Sequence, residues 1–382
     1  MPEPILETRN LFYEYANRTM ALRDVSLTIP VGKKTVVLGA NGSGKSTLFL
    51  HFNGVLKPKR GEVFYAGKKV EYDARSLAQL RESVSVVLQN PDDQIFATTV
   101  EEDVAFGPMN LGLPKEEVER RVDEAMFLVD LEEVRERPTQ QLSFGQRKRV
   151  ALAGALAMKP KVLMMDEPTA GLDPRMVHEL LELADELNQQ GLTVIISTHD
   201  VETAYEWADE VRVLHAGQMV FAGLPEDFFV DEMKVHSLGL ISPTIFDMNL
   251  RLRNVRGDDK KPYPHTIEQM IQKIFRKTSR VGNVRLITVK ANPEKHPHDI
   301  SAPPVNGLGA KVGVYGTVSR RLAHDNKIPI DYTFNSLENC IKEASQGRDF
   351  VMFVDEPLIP LVQAKLREME GEFGFRIPIQ VV

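Results

Sequence analysis

Thr35-Val36-Val37-Leu38-Gly39-Ala40-Asn41-Gly42-Ser43-Gly44-Lys45-Ser46-Thr47-Leu48-Phe49-Leu50 is the stretch on which the fold turns. Its first four residues are a short apolar run of the kind that forms a buried strand. Gly39 to Ser46 then fit the pattern G-x4-G-K-[ST], and Leu48-Phe49-Leu50 opens a helix-like segment. The glycines let backbone N–H groups turn inward around phosphate oxygens without interference from a Cβ. The helix N-terminus that follows adds positive potential. Gly39, Ala40, Asn41, Gly42, Ser43, Gly44, Lys45, Ser46 and Thr47 are therefore expected to cradle the phosphates of a nucleotide. In such a cradle the lysine, Lys45, bridges the β- and γ-phosphates, and Ser46 ligates Mg2+.

A second apolar run, Val162-Leu163-Met164-Met165, ends in Asp166-Glu167. An acidic residue at the end of a strand beside the phosphate-loop strand can hold Mg2+ through water, which is the expected role of Asp166. Glu167, one residue on, is placed to polarise a water that attacks the γ-phosphate. Alone, such a pair would read as a solvated strand end. Three further segments remove that reading: Leu142-Ser143-Phe144-Gly145-Gln146 ahead of a helical stretch from Arg147, Ala170-Gly171-Leu172-Asp173, and Thr193-Val194-Ile195-Ile196-Ser197 running into Thr198-His199-Asp200.

On these residues the chain resembles an ABC transporter ATPase from about residue 5 to about residue 235, with the motifs in the family's order and spacing. The resemblance implies an α/β fold with a P-loop core, a helical subdomain and an antiparallel β subdomain, and it implies ATP and Mg2+ as ligands. It assigns Tyr15 to stacking on adenine, with Tyr13 as the weaker candidate, and Gln89 to sensing Mg2+ and the γ-phosphate. By the same resemblance, Glu167, His199 and Gln89 form the catalytic group, and Ser46, Asp166 and Gln89 the Mg2+ group. Ser143, Gly145 and Gln146 match the signature loop that contacts ATP bound to another subunit. Asp173 matches the loop linking the two sites. The family's signature has two adjacent glycines, and the first is Phe144 here. A bulky side chain at that place must point away from phosphate.

The chain carries one copy of each motif, so a complete site is expected only in a head-to-tail pair of ATPase subunits, as homo- or heterodimer. The string Gln89-Asn90-Pro91-Asp92-Asp93-Gln94-Ile95-Phe96-Ala97, followed by Thr99 to Pro108, is similar to ATPases of energy-coupling-factor importers. Leu142 to Val150 resembles their cobalt and nickel branch. This implies two more partners, a transmembrane coupling subunit and a substrate-binding membrane subunit. The acidic residues from Asp92 to Asp103 suit docking of a basic membrane-subunit helix. Rival readings are a cytosolic ABC ATPase acting on DNA or ribosomes, or a regulatory module that uses ATP only as a signal. No coiled-coil insertion fits between Lys45 and Asp166, the chain holds one ABC unit, and Glu167 with His199 favours hydrolysis.

The 382 residues favour more than one domain, since single cores rarely grow past about 250–300 residues. The expected division is 1–240 for the ATPase, 241–280 for a helical extension and 281–382 for a small α/β domain. A formal charge of −7 gives no global reason to expect nucleic-acid binding, though it does not exclude a local basic patch. No apolar run nears the roughly 20 residues that span a bilayer, and the start lacks signal-peptide features. The expected location is thus peripheral, on the cytoplasmic face of the membrane, through partners. The single Cys340 excludes an internal disulfide.

In the C-terminal part, Val284–Val289, Lys311–Tyr315, Phe350–Val354 and Ile377–Val381 read as strands. Val318–His324, Ser336–Ala344 and Pro360–Met369 read as helices. Alternation of this kind predicts a largely parallel sheet. Ile267, Ile271, Ile274 and Phe275 recur at helical spacing within Thr266–Lys277, which predicts a packing or subunit-contact helix. Val354-Asp355-Glu356-Pro357 imitates Met165 to Pro168 but has no phosphate loop before it, so it reads as a decoy strand end. Residues 292–309 read as a long loop, with His296 and His298 beside Asp299 as a weak metal pair.

Overall fold

The computed structural model describes residues 4–256, 261–275, 281–290, 310–371 and 373–382. The expected loop 292–309 and its histidine pair lie outside the described residues. Two long strands open the chain, β1 (Pro4–Glu14) and β2 (Met20–Pro30). In β2 the buried Val25, Leu27 and Ile29 alternate with exposed Ser26 and Thr28, as in a sheet with one wet face. Strand β3 (Lys34–Leu38) is buried throughout, as a strand covered on both faces must be, and leads to α1 (Lys45–Phe52). With β4 (Arg60–Tyr65) and β5 (Lys68–Lys69), the first two strands form an antiparallel sheet in the order β2-β1-β4-β5.

Helix α2 (Ala74–Ser83), whose first N–H groups are capped by Asp73, leads into β6 (Val84–Val87). A helical group follows: α3 (Val100–Asn110), α4 (Lys115–Leu128) and α5 (Phe144–Ala157). Both α3 and α5 start at capping boxes, Thr99 with Glu102 and Ser143 with Gln146. The second box is why α5 begins at Phe144, not at Arg147 as the sequence suggested. Next come β7 (Val162–Asp166), α6 (Pro174–Gln189), β8 (Thr193–Thr198), α7 (Val201–Trp207), β9 (Glu210–His215) and β10 (Gln218–Gly223). Two short helices, α8 (Pro225–Phe229) and α9 (Glu232–Ser237), close this part.

The central sheet has the order β10-β9-β3-β8-β7-β6 and is parallel except at its β10 edge. Phe49 and Phe52 of α1 pack with Val162, Met164 and Ile195 from the sheet in one buried cluster. Each such side chain contributes about 1.5–3 kcal/mol by leaving water. In an open parallel sheet, ligands bind beyond the carboxyl ends of the strands. Here β3 ends at the phosphate loop, β8 at His199, β7 at Asp166-Glu167, and the loop after β6 carries Gln89. Four motifs far apart in sequence thereby meet along one sheet edge.

The last elements are α10 (Thr244–Arg256), α11 (Ile267–Phe275), β11 (Val284–Val289), β12 (Lys311–Tyr315), α12 (Thr317–Asp325), α13 (Ser336–Ser345), β13 (Phe350–Asp355), α14 (Ile359–Gly371) and β14 (Ile379–Val381). Their sheet, β12-β13-β11-β14, is wholly parallel. In α11 the apolar stripe does not form the buried face: Ile267, Ile271 and Phe275 are exposed, and Gln269, Met270 and Gln272 are buried. Gln269 is fixed there by bonds to His265 N and to Glu368, which leaves Ile267, Ile271 and Phe275 outward, as the subunit-contact alternative expects.

The chain divides into two compact units, Met1–Leu172 with Gly191–Pro243, and Asp173–Gln190 with Thr244–Val382. Helix α6, which the sequence places inside the ATPase segment, thus groups with the C-terminal elements. The reason is polar. Glu186 accepts from Thr317 Oγ1 at 2.9 Å, Glu182 pairs with Arg320, and Glu182 accepts from Asn335 N at 3.0 Å. Asp355, the apparent copy of Asp166, faces inward and accepts from the N–H groups of Val318 and Ser319, so it caps α12.

Burial raises the Glu182 carboxyl to about 8, outweighing Arg320, with Glu338 and Glu179 adding to the rise. Burial also raises Glu186, with Asp355 adding to it. A carboxyl raised in the fold binds more protons folded than unfolded. Its stabilising protonation is complete below its unfolded value and is lost as pH climbs through the folded one. Thermal unfolding of the C-terminal unit is therefore expected to shift downward by several degrees between about pH 6 and about pH 9. Glu182→Gln should flatten that slope, and an unchanged slope in this variant would place the pH response elsewhere.

Candidate active site

The phosphate loop is built on glycine for steric reasons. A Cβ on Gly39 would meet Leu214 O at 2.3 Å and Ser43 Oγ at 2.6 Å. Gly44 adopts φ +106, and a Cβ there would meet Ala21 O at 2.7 Å. Gly44 is also the N-cap of α1 and offers no side-chain hydrogen bond. The first-turn N–H groups of α1 therefore retain their donors for an anion. Lys45 is buried, and its Nζ donates to Gly39 O at 2.7 Å and Ala40 O at 3.3 Å.

Tyr15 is the more available of the two aromatic candidates. It is 37% exposed, and its hydroxyl lies 3.0 Å from Thr47 Oγ1. Tyr13 is less exposed, packing against the core and edge-on to His51 at 4.7 Å.

At the end of β7, Asp166 accepts from Ser197 Oγ and is almost wholly buried. Glu167 has φ +44, a left-handed backbone that costs a non-glycine residue about 1–3 kcal/mol and persists only where neighbours hold it. The neighbours are identifiable. Glu167 N donates to Ser197 O at 3.0 Å and to Ser197 Oγ at 3.2 Å. Its Oε2 lies 2.9 Å from His199 Nδ1, whose side chain is half exposed. Its Oε1 is held at 3.1 Å by the buried ammonium of Lys45 as an ion pair. Ser46, Asp166 and the exposed Gln89 offer a hydroxyl, a carboxylate and an amide oxygen. That all-oxygen set is the type Mg2+ takes, with phosphate oxygens and water completing the shell.

The signature loop caps itself. Gln146 N donates to Ser143 Oγ at 3.2 Å, and Ser143 N to Gln146 Oε1 at 3.0 Å. Gly145 lies in the first turn of α5. Phe144 turns back on Gly171, where a Cβ would meet the ring at 2.9 Å, so the departure from two glycines is absorbed within the chain. Asp173 caps α6 by accepting from Met176 N at 2.9 Å.

Part of the acidic run Asp92–Asp103 is paired within the chain, while Asp92, Asp93 and Glu102 stay exposed. Asp92 pairs with Arg147 at 2.8 Å and Glu101 with Arg135 at 2.8 Å. Glu102 closes the α3 capping box, and Asp103 is buried, accepting from Phe96 N and Ala97 N at 3.0 Å each. Those paired charges help to shape the loop. Beside its exposed carboxylates the segment also exposes Phe96, Phe106 and Met109, with the two phenylalanine rings edge-on at 4.4 Å.

Two residues of the site escaped the sequence reading, Ser197 and Lys148. Ser197 looked like the last residue of an apolar strand. Lys148 stands one helical turn after Phe144, on the stripe continued by Ala151 and Ala155, and a lone lysine on that buried stripe was the available signal. Burial lowers it to about 8, with Glu167 opposing the shift. Among the described residues no helix is long and apolar enough to cross a membrane.

Comparison with known proteins places this geometry. The family described as "ABC transporter" matches residues 22–170. The energy-coupling factor transporter ATP-binding protein EcfA of Methanocaldococcus jannaschii is 49% identical over 241 residues, 63% of this chain and 86% of its own length. The corresponding EcfA2 of Methanospirillum hungatei JF-1 is 36% identical over 386 residues, 99% of this chain and 96% of that one. Among solved structures, cbiO1 of Clostridium perfringens, described as part of the ABC transporter complex cbiONQ, superposes with a TM-score of 0.56 and 42% identity. It covers 66% of this chain and 97% of its own. A carboxylate paired with the lysine of a phosphate loop, on a chain similar along almost its whole length to an energy-coupling factor ATPase, leaves one assignment: the chain belongs to the ABC transporter ATPases, within the energy-coupling factor group of ATP-binding proteins.

Proposed function

We propose that this chain powers the import of cobalt or nickel ions, as one of two ATPase subunits held at the cytoplasmic face of the membrane by a transmembrane coupling subunit. The observation that carries the catalytic part is the grip on Glu167, whose two carboxylate oxygens are set between His199 and Lys45. The resemblance of Leu142 to Val150 to the cobalt and nickel branch, together with the likeness to cbiO1, supports the substrate.

ATP enters with adenine against the open face of Tyr15 and its phosphates on the N–H groups of Gly39 to Thr47. Lys45 leaves its carbonyl partners for the β- and γ-phosphate oxygens, a stronger charge-assisted pairing. Release of Lys45 frees Glu167, which takes a proton from the attacking water while His199 keeps the carboxylate aimed. Ser46, Asp166 and Gln89 would hold Mg2+, which when bound neutralises charge on the phosphate oxygens. Ser143, Gly145 and Gln146 serve ATP bound by the second subunit, and Asp173 links the two sites.

The coupling subunit docks on the apolar group Phe96, Phe106 and Met109, on the segment that follows Gln89. A clustered, exposed apolar group of this kind marks an interaction surface. Replacing Phe96 and Phe106 together by Glu should leave isolated ATP hydrolysis near native, because exposed positions seldom shift stability by more than about 0.5 kcal/mol. Assembly with the membrane subunit should be lost. Full assembly in the double variant would move the docking surface elsewhere. The substrate is tested by purifying the complex with its membrane partners and following uptake into vesicles. ATP-dependent accumulation of Co2+ or Ni2+ is the expected result, and accumulation of a vitamin with no metal uptake would overturn it.

A further inference from the structure

Lys148 lies in the second turn of α5, whose first turn is the signature loop, and only 8% of it is exposed. Its ammonium faces backbone carbonyls, not a carboxylate. Nζ donates to Ala170 O at 2.6 Å, Pro168 O at 2.9 Å and Glu167 O at 3.3 Å. An ammonium has three protons, and three carbonyls of one turn take them. The ring of Phe144 lies over this group, 5.4 Å from Nζ, and rests against Gly171 of the same turn. The residue that replaces a glycine of the usual signature thus helps to roof the contact.

Glu167 is consequently held from both sides of its left-handed backbone. Ser197 takes its N–H, and Lys148 takes its C=O. The first anchor belongs to the sheet, and the second to the signature helix. We infer that Lys148 is a positioning residue that ties the signature helix to the aim of Glu167 within one subunit. A shift of Ser143 against ATP held by the second subunit would then move the water-polarising carboxylate of the first. Lys148 touches no phosphate and acts only through the Glu167 turn. This inference rests on the reading of Glu167 as the base and of Ser143 as a contact to the other subunit's ATP.

The test compares Lys148→Met, which keeps length and removes every donor, with Lys148→Gln, which keeps two donors without the charge. In the full-length protein, Lys148→Met should lower kcat by roughly tenfold or more, the scale expected when a reacting group is misplaced. KM for ATP and nucleotide binding should stay native, since the phosphate loop is untouched, and Lys148→Gln should recover part of kcat. A native kcat in Lys148→Met overturns the inference. So does a variant in which KM rises and thermal stability falls with kcat preserved, which would mark a purely structural lysine. If Lys148→Met fails to fold, Lys148→Gln decides the matter by the same split between kcat and KM. Glu167→Gln, measured beside them, separates the two failures. If it is inactive while Lys148→Met is native, only the lysine's role falls; if it turns over normally, the base assignment falls first.

Discussion

Glu167→Gln should lower ATP turnover by at least about 10²-fold, the scale of lost general-base help, while ATP still binds. Glutamine has nearly the same shape and can keep a hydrogen bond to His199, so the turn held by Ser197 and Lys148 is not disturbed. What is lost is the proton acceptor. The charge opposite Lys45 is lost as well, and that pair is close, at 3.1 Å between buried groups. A lysine freed of its carboxylate turns more readily to the phosphates. The variant should therefore bind ATP at least as well as the native protein and accumulate as a closed pair of subunits. Phosphate release and size measurements with and without ATP check both parts. Near-native hydrolysis would remove Glu167 from its role.

Loss of nucleotide binding is the expected result for Lys45→Ala. Ser143→Arg should bind ATP normally and fail to close the dimer. The first variant removes the one buried ammonium at the loop. The second breaks the Ser143–Gln146 cap and puts a long side chain where close approach to the other subunit's ATP is required. Neither variant alone contains an intact composite site. Mixed, they form one dimer arrangement in which the good phosphate loop meets the good signature loop. Hydrolysis should thus reappear on mixing, well below that of the native pair. If Ser143→Arg lost binding to its own phosphate loop, the head-to-tail arrangement would be wrong. If mixing restores nothing while each variant behaves as expected alone, the other half of the site comes from a different chain.

The local chemistry was legible in the residues themselves. Gly39 to Thr47, Asp166-Glu167 and His199 are short motifs whose spacing is set by a strand and the turn after it, so they can be read without knowing what packs on them. The C-terminal strands were legible for a related reason, since parallel strands buried on both faces are near-continuous apolar runs, as Phe350 to Val354 is. Charge was only partly legible. Asp92, Asp93 and Glu102 are exposed as an acidic surface would be, but Asp92 also meets Arg147, Glu101 meets Arg135, Glu102 closes a helix cap and Asp103 is buried on two loop N–H groups. A carboxylate's sequence position says nothing about which donor it meets. Nor could sequence choose between the two roles of α11, which buries Gln269, Met270 and Gln272 and leaves Ile267 and Ile271 outward.

What the sequence by itself determined is thus the nucleotide cradle, the acidic strand end beside it and the alternation that makes both sheets. Only the tertiary structure decided that β3, β8 and β7 are neighbours, which brings Lys45 and His199 each to one carboxylate oxygen of Glu167. It alone decided that α6 binds the C-terminal elements through Glu182 and Glu186, and that Lys148 ends on the carbonyls of the Glu167 turn. The reason is physical. A motif records bonding within a few residues, whereas the partner of a buried charge is chosen by desolvation, and desolvation depends on everything packed around it.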